Sequence, residues 1–470
     1  MDTWAIVLIF INIFVVFYFI GINGSYLLLV LLSFADLRKE RTARRATDRD
    51  LAFRSEFNKP LTVIIPAYNE EKTIIDTVRS ALSLRYPEFE VVVVNDGSSD
   101  QTLTALKNYY DLKPAARDYA NDLECSPITA VYSSANYPNL VVTDKENGGK
   151  SDALNAGINV SQYPLFCNID SDSLIDSGSL LKVVDLFAKD WRTVAAGGTI
   201  RAANGCVIKD GQVVRVRLSS NFWVRFQIVE YMRAFLFGRA GWSAIGGLLI
   251  LSGAFSIFRR KAVIEAGGYR KDTIGEDMEL VLRIQRVMQR KNREYRVVFL
   301  PDPVCWTQVP EEYHSLKTQR RRWQRGLSES LFGNFELFLN PRYSSVGMIS
   351  FPFFLFYEFL GPVIEIGGYL IFILSLILGL LNPPFVLLFL TAAIVLGILL
   401  STSALLMEEI YYKNYTRLRD VLILFCFAVM ENLFYRQLHA WWRFRGIIDF
   451  FFKKRSWGSQ ARRSFTDQQK

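Results

Sequence analysis

Two carboxylates, Asp170 and Asp172, stand one residue apart at the end of the apolar run 164–169. Hard oxygen ligands suit Mg²⁺ or Mn²⁺, and Mg²⁺ is usually bound by one or two carboxylates together with substrate phosphates. Ligands of open α/β sheets bind outside the carboxyl ends of the strands. The pair therefore predicts a divalent cation held against a phosphate. The alternative is an ordinary acidic turn on the surface.

The segments around this pair alternate between strand and helix. Apolar runs predict strands at 61–65, 89–95, 140–143 and 165–170, and helical spacing predicts helices at 73–84, 101–110 and 150–159. Such alternation implies a mainly parallel sheet with helices on both faces. The stretch 111–138 is polar, and residues 180–305 have a mixed α/β pattern.

Polar motifs follow the first two predicted strands. The segment Pro-Ala-Tyr-Asn-Glu at 66–70 ends the first strand, and Asp96 ends the second. Stacking from Tyr68 and hydrogen bonds from Glu70 and Asp96 would suit a nucleotide base and its ribose. The alternatives are a helix N-cap for Asn69 and an Asp-Gly turn at Asp96.

Three further motifs carry groups that could act on a phosphorylated sugar. Asn147-Gly-Gly-Lys150 opens a helix, where the glycines permit close backbone approach and Lys150 can meet a phosphate. Gly275-Glu276-Asp277 precedes a helical segment and offers a general base for an acceptor hydroxyl; the alternative is a helix start with acids in its first turn. In Gln319-Arg-Arg-Arg322-Trp323, a guanidinium can neutralise a diphosphate and the indole can stack on a sugar ring. The alternative is a basic run beside a membrane.

The composition indicates a protein that is part soluble and part membrane-embedded. Half of the 470 residues are apolar and 14% are aromatic. Residues 4–34 carry no charge, and 349–406 are nearly as apolar, so both exceed the length of a membrane-spanning helix. The first run has no cleavage site and predicts an uncleaved anchor. Later spans are expected at 351–381, 385–407 and 419–437.

Charge sets the expected orientation. The formal net charge is +9, and the basic residues cluster after the first span and near the end of the chain, which fits the positive-inside rule better than nucleic-acid binding. The N-terminus is expected outside and the basic tail in the cytosol, with Trp441, Trp442 and Phe444 as an interface anchor. Three later spans would place the tail outside, so either 346–381 makes two passes or 419–437 is not a simple span.

Two features of the membrane-proximal region have open interpretations. Leu327, Leu331 and Phe335 fall on one helical face, which fits an interfacial helix at 327–345 or an ordinary core helix. Glu358 and Glu365 are seven residues apart and would share one face of a helix. They predict either a glycan channel or a helix-packing contact.

Taken in order, the six motifs resemble those of the membrane-bound members of glycosyltransferase family 2. That group includes cellulose, hyaluronan, chitin and bacterial poly-N-acetylglucosamine synthases. The resemblance covers roughly residues 60–330, although 107–140 is longer than in a compact member. It implies a GT-A-type nucleotide-sugar-binding domain with a mixed, mainly parallel sheet, accompanied by transmembrane and interfacial helices.

The resemblance also implies a role for each matched residue. Asp277 is the general base and Glu276 the second catalytic residue, Asp172 binds Mg²⁺ or Mn²⁺, and two larger groups bind the substrates. The nucleotide-sugar group is Ala67, Tyr68, Glu70, Asp96, Lys150 and Asp170, and the acceptor and diphosphate group is Ser252, Gly253, Ala254, Gln319, Arg322 and Trp323.

The expected function is an inverting glycosyltransferase that moves a sugar from a UDP-sugar to a growing β-linked polysaccharide, coupled to its passage across the membrane. The alternatives are a non-processive lipid glycosyltransferase that uses UDP-glucose and an inactive scaffold of an envelope complex. Expected partners are the UDP-sugar, a glycan or lipid acceptor, membrane lipids and accessory envelope proteins, without nucleic acid.

The expected location is the inner or plasma membrane, with several spans and a cytosolic catalytic domain. The expected organisation is a transmembrane helix at 1–35, a linker at 36–60, the glycosyltransferase domain at 61–326, an interfacial helix at 327–345, transmembrane helices at 346–438 and a basic cytosolic tail at 439–470.

Overall fold

A ten-stranded mixed β-sheet lies at the centre of the computed structural model, which describes residues 3–45 and 58–452. The strands are β1 Leu61–Ala67, β2 Phe89–Asp96, β3 Leu112–Pro114, β4 Ile128–Ser134, β5 Leu140–Lys145, β6 Leu165–Ile169, β7 Ser173–Ile175, β8 Thr193–Ala202, β9 Val207–Lys209, β10 Gln212–Arg215, β11 Phe255–Arg259 and β12 Arg296–Thr307. Their order in the sheet is β3-β4-β5-β2-β1-β6-β11-β8-β12-β7, and β9 pairs with β10 in a separate hairpin.

Four neighbouring strands, β5, β2, β1 and β6, run parallel, so their carboxyl ends meet at one edge of the sheet. The next strand, β11, is antiparallel to both β6 and β8, and β8 is parallel to β12. Every residue of β1 is buried, as expected for a parallel strand covered on both faces. The expected mixed, mainly parallel sheet is confirmed.

Helices flank this sheet, and further helices make up the long apolar segments near the start and in the last third of the chain. The α-helices are α1 Thr3–Arg45, α2 Ile74–Leu82, α3 Thr102–Tyr110, α4 Lys150–Val160, α5 Ser179–Lys189, α6 Phe222–Tyr231, α7 Ala240–Ala244, α8 Arg260–Glu265, α9 Glu276–Arg290, α10 Tyr313–Gly333, α11 Phe351–Phe353, α12 Gly361–Ile377, α13 Pro383–Leu390, α14 Leu396–Tyr411, α15 Leu418–Met430 and α16 Arg436–Phe451. Between 61 and 170 the predicted strands and helices are confirmed, with boundaries that differ by one or two residues.

The polar stretch 111–138 contains two strands that its composition did not predict. β4 pairs antiparallel with β5, and β3 pairs antiparallel with β4. These two strands extend the sheet beyond β5. Most of β4 is only half-buried or exposed, so it lacks the continuous apolar run of a central strand. Pairing with β5 therefore decides its structure.

Within residues 3–45 and 58–452, two helical stretches are long and apolar enough to cross a membrane, Thr3–Ala35 and Pro383–Tyr411. A third crossing is formed if Val346–Phe359 and Gly361–Ile377, which meet at a 44° bend, act as one span. The first helix continues beyond the expected boundary at 35 and ends at Arg45. Of the expected linker, residues 46–57 lie outside the described residues.

The expected interfacial helix at 327–345 is not one helix. α10 begins at Tyr313 and ends at Gly333, and two short 3₁₀ turns follow, Phe335–Leu337 and Pro341–Tyr343. The Asn334 side chain donates a hydrogen bond to the Ser330 carbonyl (3.0 Å), which occupies one of the helix's last acceptors. The interfacial role of this region stays a prediction.

The boundary expected at 438 falls inside a continuous helix. α15, a π-helical turn and α16 run without a break from Leu418 to Phe451, and α16 packs against α10. Trp442, expected at a membrane interface, is instead fully buried, and its indole N–H points at the Tyr313 hydroxyl (3.4 Å). Trp441 beside it is exposed. The residues from 453 onward lie outside the described residues.

Glu358 and Glu365 do not share one uninterrupted helical face, because the 44° bend lies between them. Arg443 Nη2 lies 2.7 Å from Glu358 Oε2, and Arg436 Nη2 lies 3.1 Å from Glu365 Oε1. Both carboxylates therefore bind arginines of α16. This geometry favours the helix-packing interpretation.

Candidate active site

The sequence motifs meet at the edge where β5, β2, β1 and β6 end. Tyr68 follows β1, Asp96 ends β2, Lys150 follows β5 at the start of α4, and Asp170 follows β6. Their convergence results from the parallel register of these strands, in which Ala67 of β1 lies beside Asn95 of β2.

The loop after β1 exposes Tyr68, whose side chain is 51% accessible. Asn69 has φ 56°, and its Oδ1 accepts hydrogen bonds from the backbone N–H groups of Ser99 (2.8 Å) and Asp100 (3.3 Å). Thr73, not Asn69, occupies the N-cap position of α2. Asn69 therefore joins the loops that follow β1 and β2 and leaves the Tyr68 ring available for stacking.

Two other residues of this motif lie below the surface. Ala67 is buried as the last residue of β1, and its expected contact with the nucleotide stays a prediction. Glu70 is also buried: its backbone N–H donates to Thr102 Oγ1 (2.8 Å), and Thr73 Oγ1 donates to its Oε2 (3.0 Å). Both residues support the loop that carries Tyr68.

Asp96 lies at the carboxyl end of β2, as expected, but its side chain is buried below the surface of the site. Its carboxylate accepts hydrogen bonds from Lys145 Nζ (2.5 Å), from the backbone N–H groups of Gly148 (3.0 Å) and Gly149 (2.7 Å), and from Asn147 Nδ2 (3.2 Å). These donors occupy the acceptor positions of a carboxylate. In this conformation Asp96 shapes the loop before Lys150, and its expected contact with the nucleotide stays a prediction.

Lys150 joins the two acidic motifs. Its Nζ lies 2.6 Å from Asp170 Oδ1 and 3.1 Å from Glu276 Oε1. Burial lowers the pKa of Lys150, but the carboxylates of Asp170 and Glu276 outweigh burial and raise the pKa above its ordinary value. Lys150 therefore stays protonated at neutral pH, and its charge lies between Asp170 after β6 and Glu276 at the start of α9.

Asp172 faces the amino end of β7 and the carboxyl end of β12. Ser173 Oγ (3.4 Å) and Thr307 Oγ1 (3.5 Å) lie near its Oδ1. Burial and the charge of Asp170 raise the pKa of Asp172 to about 7. Negative charge therefore accumulates at this point of the site.

This donor set fits a divalent cation that takes its remaining ligands from a substrate. The described residues contain no cluster of three or more His, Cys, Asp or Glu side chains able to hold a metal. Mg²⁺ needs no such cluster, since it commonly binds one or two carboxylates plus phosphate oxygens and water. The crowding of Asp170 and Asp172 is the electrostatic condition that such a cation relieves.

Ser252-Gly253-Ala254 precedes β11 and lies directly against this site. Asn168 Nδ2 donates to the Gly253 carbonyl (3.0 Å), and Ser256 Oγ holds Asn168 from the other side (2.6 Å). A Cβ at Gly253 would lie 3.1 Å from Lys150 Nζ and 3.9 Å from Asp277 Oδ2. The absence of a side chain at Gly253 therefore keeps space open between the ammonium and the candidate base.

If the expected glycosyltransferase activity is present, replacing Gly253 by Ala should reduce turnover about tenfold, because the new methyl group occupies space beside Lys150 and Asp277. Folding should change little, since the nearest atom is the end of a flexible lysine side chain. Rates and thermal midpoints of the variant and the parent test this. Gly333→Ala is the matched control, because its Cβ meets nothing within 4 Å.

Asp277 lies in the first turn of α9, and its Oδ1 accepts a hydrogen bond from the Met278 backbone N–H (2.8 Å). Burial and the neighbouring Glu276 raise the pKa of Asp277 to about 6, while the Lys150 charge opposes them. A carboxylate with such a pKa is ionised at neutral pH and is a stronger base than a solvent-exposed aspartate.

This pKa predicts the acid side of the pH profile. A general base must be deprotonated, and a raised pKa brings protonation at a higher pH, so turnover is expected to fall about tenfold per unit below pH about 6. The measurement is kcat/KM for the donor against pH, because this ratio reports the ionisation of groups in the free enzyme. A midpoint near the ordinary aspartate value would contradict the assignment.

A close crossing of two helices brings the last motif to the site. Gly275, the N-cap residue of α9, packs against Gly326 of α10, and a Cβ on Gly275 would lie 2.6 Å from the Gly326 carbonyl oxygen. The Ile274 backbone N–H and Thr273 Oγ1 donate to Glu329 Oε2 (2.8 and 3.0 Å). Only glycine at both positions permits this approach, which fixes α10 beside Asp277.

The three predicted residues of α10 have different environments. Gln319 is buried, Arg322 is half-buried, and the Trp323 ring is 44% accessible. Arg320 lies between them with its guanidinium carbon 4.1 Å from the centre of the Trp323 ring and its Nη2 2.9 Å from Glu230 Oε2. Trp323 is therefore held against a fixed cation and keeps an open face.

Sequence reasoning missed Arg239 together with Arg320 and Glu230. Arg239 ends the π-helical turn Met232–Arg239, and its Nη1 is buried without a hydrogen-bond partner among the described residues. Burial lowers the pKa of Arg239 to about 10, and Asp277 opposes this shift. The π-helix, often found at functional sites, is the structural signal, and nothing in the spacing indicated it.

Two family models match the chain. The model for glycosyl transferase family 2 matches residues 62–267, and the model for glycosyl transferase family group 2 matches residues 165–412. Together they cover the motifs at 66–70, 96–100, 147–150, 170–172, 275–277 and 319–323. The chain belongs to glycosyltransferase family 2.

Named relatives of this family 2 chain include two bacterial synthases. The chain is 28% identical over 290 residues to the poly-beta-1,6-N-acetyl-D-glucosamine synthase of Staphylococcus epidermidis, which covers 61% of the chain and 60% of the relative. It is 28% identical over 275 residues to the synthase of the same name from Staphylococcus aureus strain COL, which covers 58% and 56%. The chain thus spans about 60% of the length of these relatives.

A solved structure resembles this family 2 chain over almost its whole length. The mannosyltransferase PcManGT from Pyrobaculum calidifontis, solved in complex with GDP-Man and Mn2+, aligns with 94% of the chain and 100% of its own length. The TM-score is 0.51 and the sequence identity is 17%. At this identity the likeness concerns the fold, and it agrees with the expected GT-A-type architecture.

Proposed function

We propose that this protein is an inverting glycosyltransferase that moves N-acetylglucosamine from UDP-N-acetylglucosamine to a growing β-linked polysaccharide. The observation that carries the proposal is the bridge by Lys150 between Asp170 and Glu276, which places a candidate diphosphate contact beside the candidate base Asp277. The donor sugar follows the names of the Staphylococcus relatives, and family membership supports the reaction class.

Donor binding uses the strand-end edge. The exposed Tyr68 ring stacks on uracil, and the diphosphate contacts the Lys150 ammonium, which also pairs with Asp170. Asp172, with Asp170 beside it, would hold Mg²⁺ or Mn²⁺. Such an ion supplies positive charge against the leaving diphosphate.

Transfer then needs one base and no acid. Asp277 accepts the proton of the acceptor hydroxyl, that oxygen forms a bond to the anomeric carbon, and the bond from this carbon to the diphosphate oxygen breaks with inversion. UDP departs unprotonated, with Lys150 and Arg322 as the cations that stabilise it. The half-exposed Trp323 ring offers a stacking face for the acceptor sugar.

The membrane arrangement follows from the apolar helices and the charge distribution. With the N-terminus outside, crossings by 3–35, the bent pair and 383–411 would put the catalytic domain and the C-terminal tail in the cytosol. In this arrangement α15 packs against α14, α16 lies against α10, and neither helix crosses the membrane. This arrangement satisfies the positive-inside rule and removes the conflict created by a span at 419–437.

A UDP-release assay on the purified protein in nanodiscs tests the proposed function. Donors are UDP-N-acetylglucosamine, UDP-glucose, UDP-galactose and UDP-glucuronate, each with Mg²⁺ or Mn²⁺, and the radiolabelled product is sized. High-mass material from UDP-N-acetylglucosamine supports the proposal. An organic-extractable product from UDP-glucose would instead identify a lipid glycosyltransferase, and no turnover with any donor would favour an inactive scaffold.

A further inference from the structure

A chain of alternating charges runs beneath the candidate active site. Lys145 Nζ lies 2.5 Å from Asp96 Oδ1 and 2.6 Å from Asp152 Oδ1, and Lys271 Nζ lies 2.5 Å from Asp152 Oδ2. Asp96, Lys145 and Asp152 are buried, whereas the Lys271 side chain is 39% exposed. Each buried charge therefore has an opposite neighbour, which such burial requires.

One end of this chain holds the loop that presents Lys150. Asp96 accepts hydrogen bonds from the backbone N–H groups of Gly148 and Gly149 at 3.0 and 2.7 Å. Gly149 has φ +89°, a conformation that glycine adopts without strain. Lys145 thus acts on the position of Lys150 through Asp96.

The other end holds the segment that leads to Asp277. Lys271 lies on the irregular stretch 266–275, immediately before α9. Asn155 of α4 clamps the same stretch, since its Nδ2 donates to the Tyr269 carbonyl (2.9 Å) and its Oδ1 accepts from the Tyr269 N–H (2.7 Å). The segment before Asp277 therefore rests on α4 through two adjacent contacts.

The unusually long stretch 107–140 contributes to the same arrangement. The Ser126 backbone N–H donates to both carboxylate oxygens of Asp152, at 3.0 and 3.1 Å. Asp152 is consequently fixed from three directions: by Lys145, by Lys271 and by Ser126. Asp152 therefore contacts both lysines, Lys145 on the side of the Lys150 loop and Lys271 on the segment of Asp277.

We propose that Lys145 and Lys271 are positioning residues that act from opposite sides of Asp152, Lys145 on the donor loop 147–149 and Lys271 on the segment that carries Asp277. The proposal rests on the proposed function, because it takes Lys150 as a donor contact and Asp277 as the base. If Lys271 is removed, Asp152 keeps its ion pair with Lys145, so the loop 147–149 should keep its position. If Lys145 is removed, Asp152 keeps its ion pair with Lys271.

The two lysine substitutions are therefore expected to change different kinetic constants. Lys271→Met is expected to lower kcat about tenfold or more, as a misplaced base does, with a donor KM within about threefold of the parent. Lys145→Met is expected to raise the donor KM about tenfold. Lys271→Arg should restore most of the kcat, because a guanidinium also reaches Asp152.

The experiment uses the full chain in nanodiscs and measures initial UDP release against donor concentration. Arg270→Met is the matched control, since Arg270 is adjacent, equally charged and paired only with the exposed Asp272 in the contacts described. Equal effects of Lys271→Met and Arg270→Met would overturn the proposal. So would the same change in kcat and KM for Lys271→Met and Lys145→Met.

Hydrogen exchange keeps the test independent of turnover. Lys271→Met should deprotect peptides across 268–275 and leave 147–149 as in the parent, whereas uniform deprotection of both would overturn the proposal. If the parent turns over no donor, the proposed function fails and this exchange pattern still decides the positioning roles. Because Lys145 is fully buried, Lys271→Met is decisive on its own should Lys145→Met not fold.

Discussion

Asp277→Asn is expected to reduce sugar transfer about 10³-fold while UDP binding stays within about threefold of the parent, because a general base contributes 10² to 10⁴ in rate. The amide keeps the size of the side chain, and its oxygen can still accept the hydrogen bond that the Met278 N–H donates to Asp277 Oδ1 (2.8 Å). It cannot take the proton of the acceptor hydroxyl. Initial rates of UDP release and calorimetric titration with UDP measure the two quantities.

The matched control for Asp277→Asn is Asp272→Asn. Asp272 lies five positions earlier and is exposed, and its carboxylate pairs with Arg270, with Arg270 Nε 2.8 Å from Oδ1. Its amide variant should retain the activity of the parent. UDP release by Asp277→Asn at the parent's rate would contradict the role of Asp277 and revive the scaffold alternative.

Lys150→Met is expected to lower kcat/KM about 100-fold. Removal of this ammonium takes away the cation that lies 2.6 Å from Asp170 and 3.1 Å from Glu276, and with it the positive charge that would stabilise the departing diphosphate. The charge of Lys150 also holds down the pKa of Asp277, so its loss should move the acid limb to higher pH. Kinetics across pH measure both effects.

Two comparison variants complete this test. Lys150→Arg should recover part of the activity, because it keeps the charge with a different shape. Lys189→Met is the control, since Lys189 is exposed and forms a surface pair with Asp185. An unchanged acid limb in Lys150→Met would show that Lys150 does not act on Asp277, whatever its effect on rate.

The sequence determined which chemistry is available and where along the chain each strand delivers it. The β-runs 61–65, 89–95 and 165–170 are mostly apolar, so their identity as buried parallel strands was predictable. Parallel pairing necessarily brings their carboxyl ends to one edge. The motif spacing was likewise enough to indicate glycosyltransferase family 2, which the family models confirm.

Tertiary structure decided what each motif residue faces. The sequence indicated Asp96 as a nucleotide ligand, and only the fold shows that its carboxylate accepts hydrogen bonds from Lys145 and from the Gly148 and Gly149 amides. Trp442 resembled an interface anchor, yet it is fully buried near Tyr313. A spacing pattern gives the face of an element, whereas the partner on that face comes from another part of the chain.

The same distinction applies to the whole site. Local spacing by itself determined the strand ends, the helix start that carries Asp277 and the apolar runs of the membrane helices. Only the fold decided that Gly326 of α10 meets Gly275, and that Lys271 meets Asp152 at 2.5 Å. These contacts join residues far apart in sequence, and their geometry depends on backbone approach and buried charge pairing, which no local periodicity encodes.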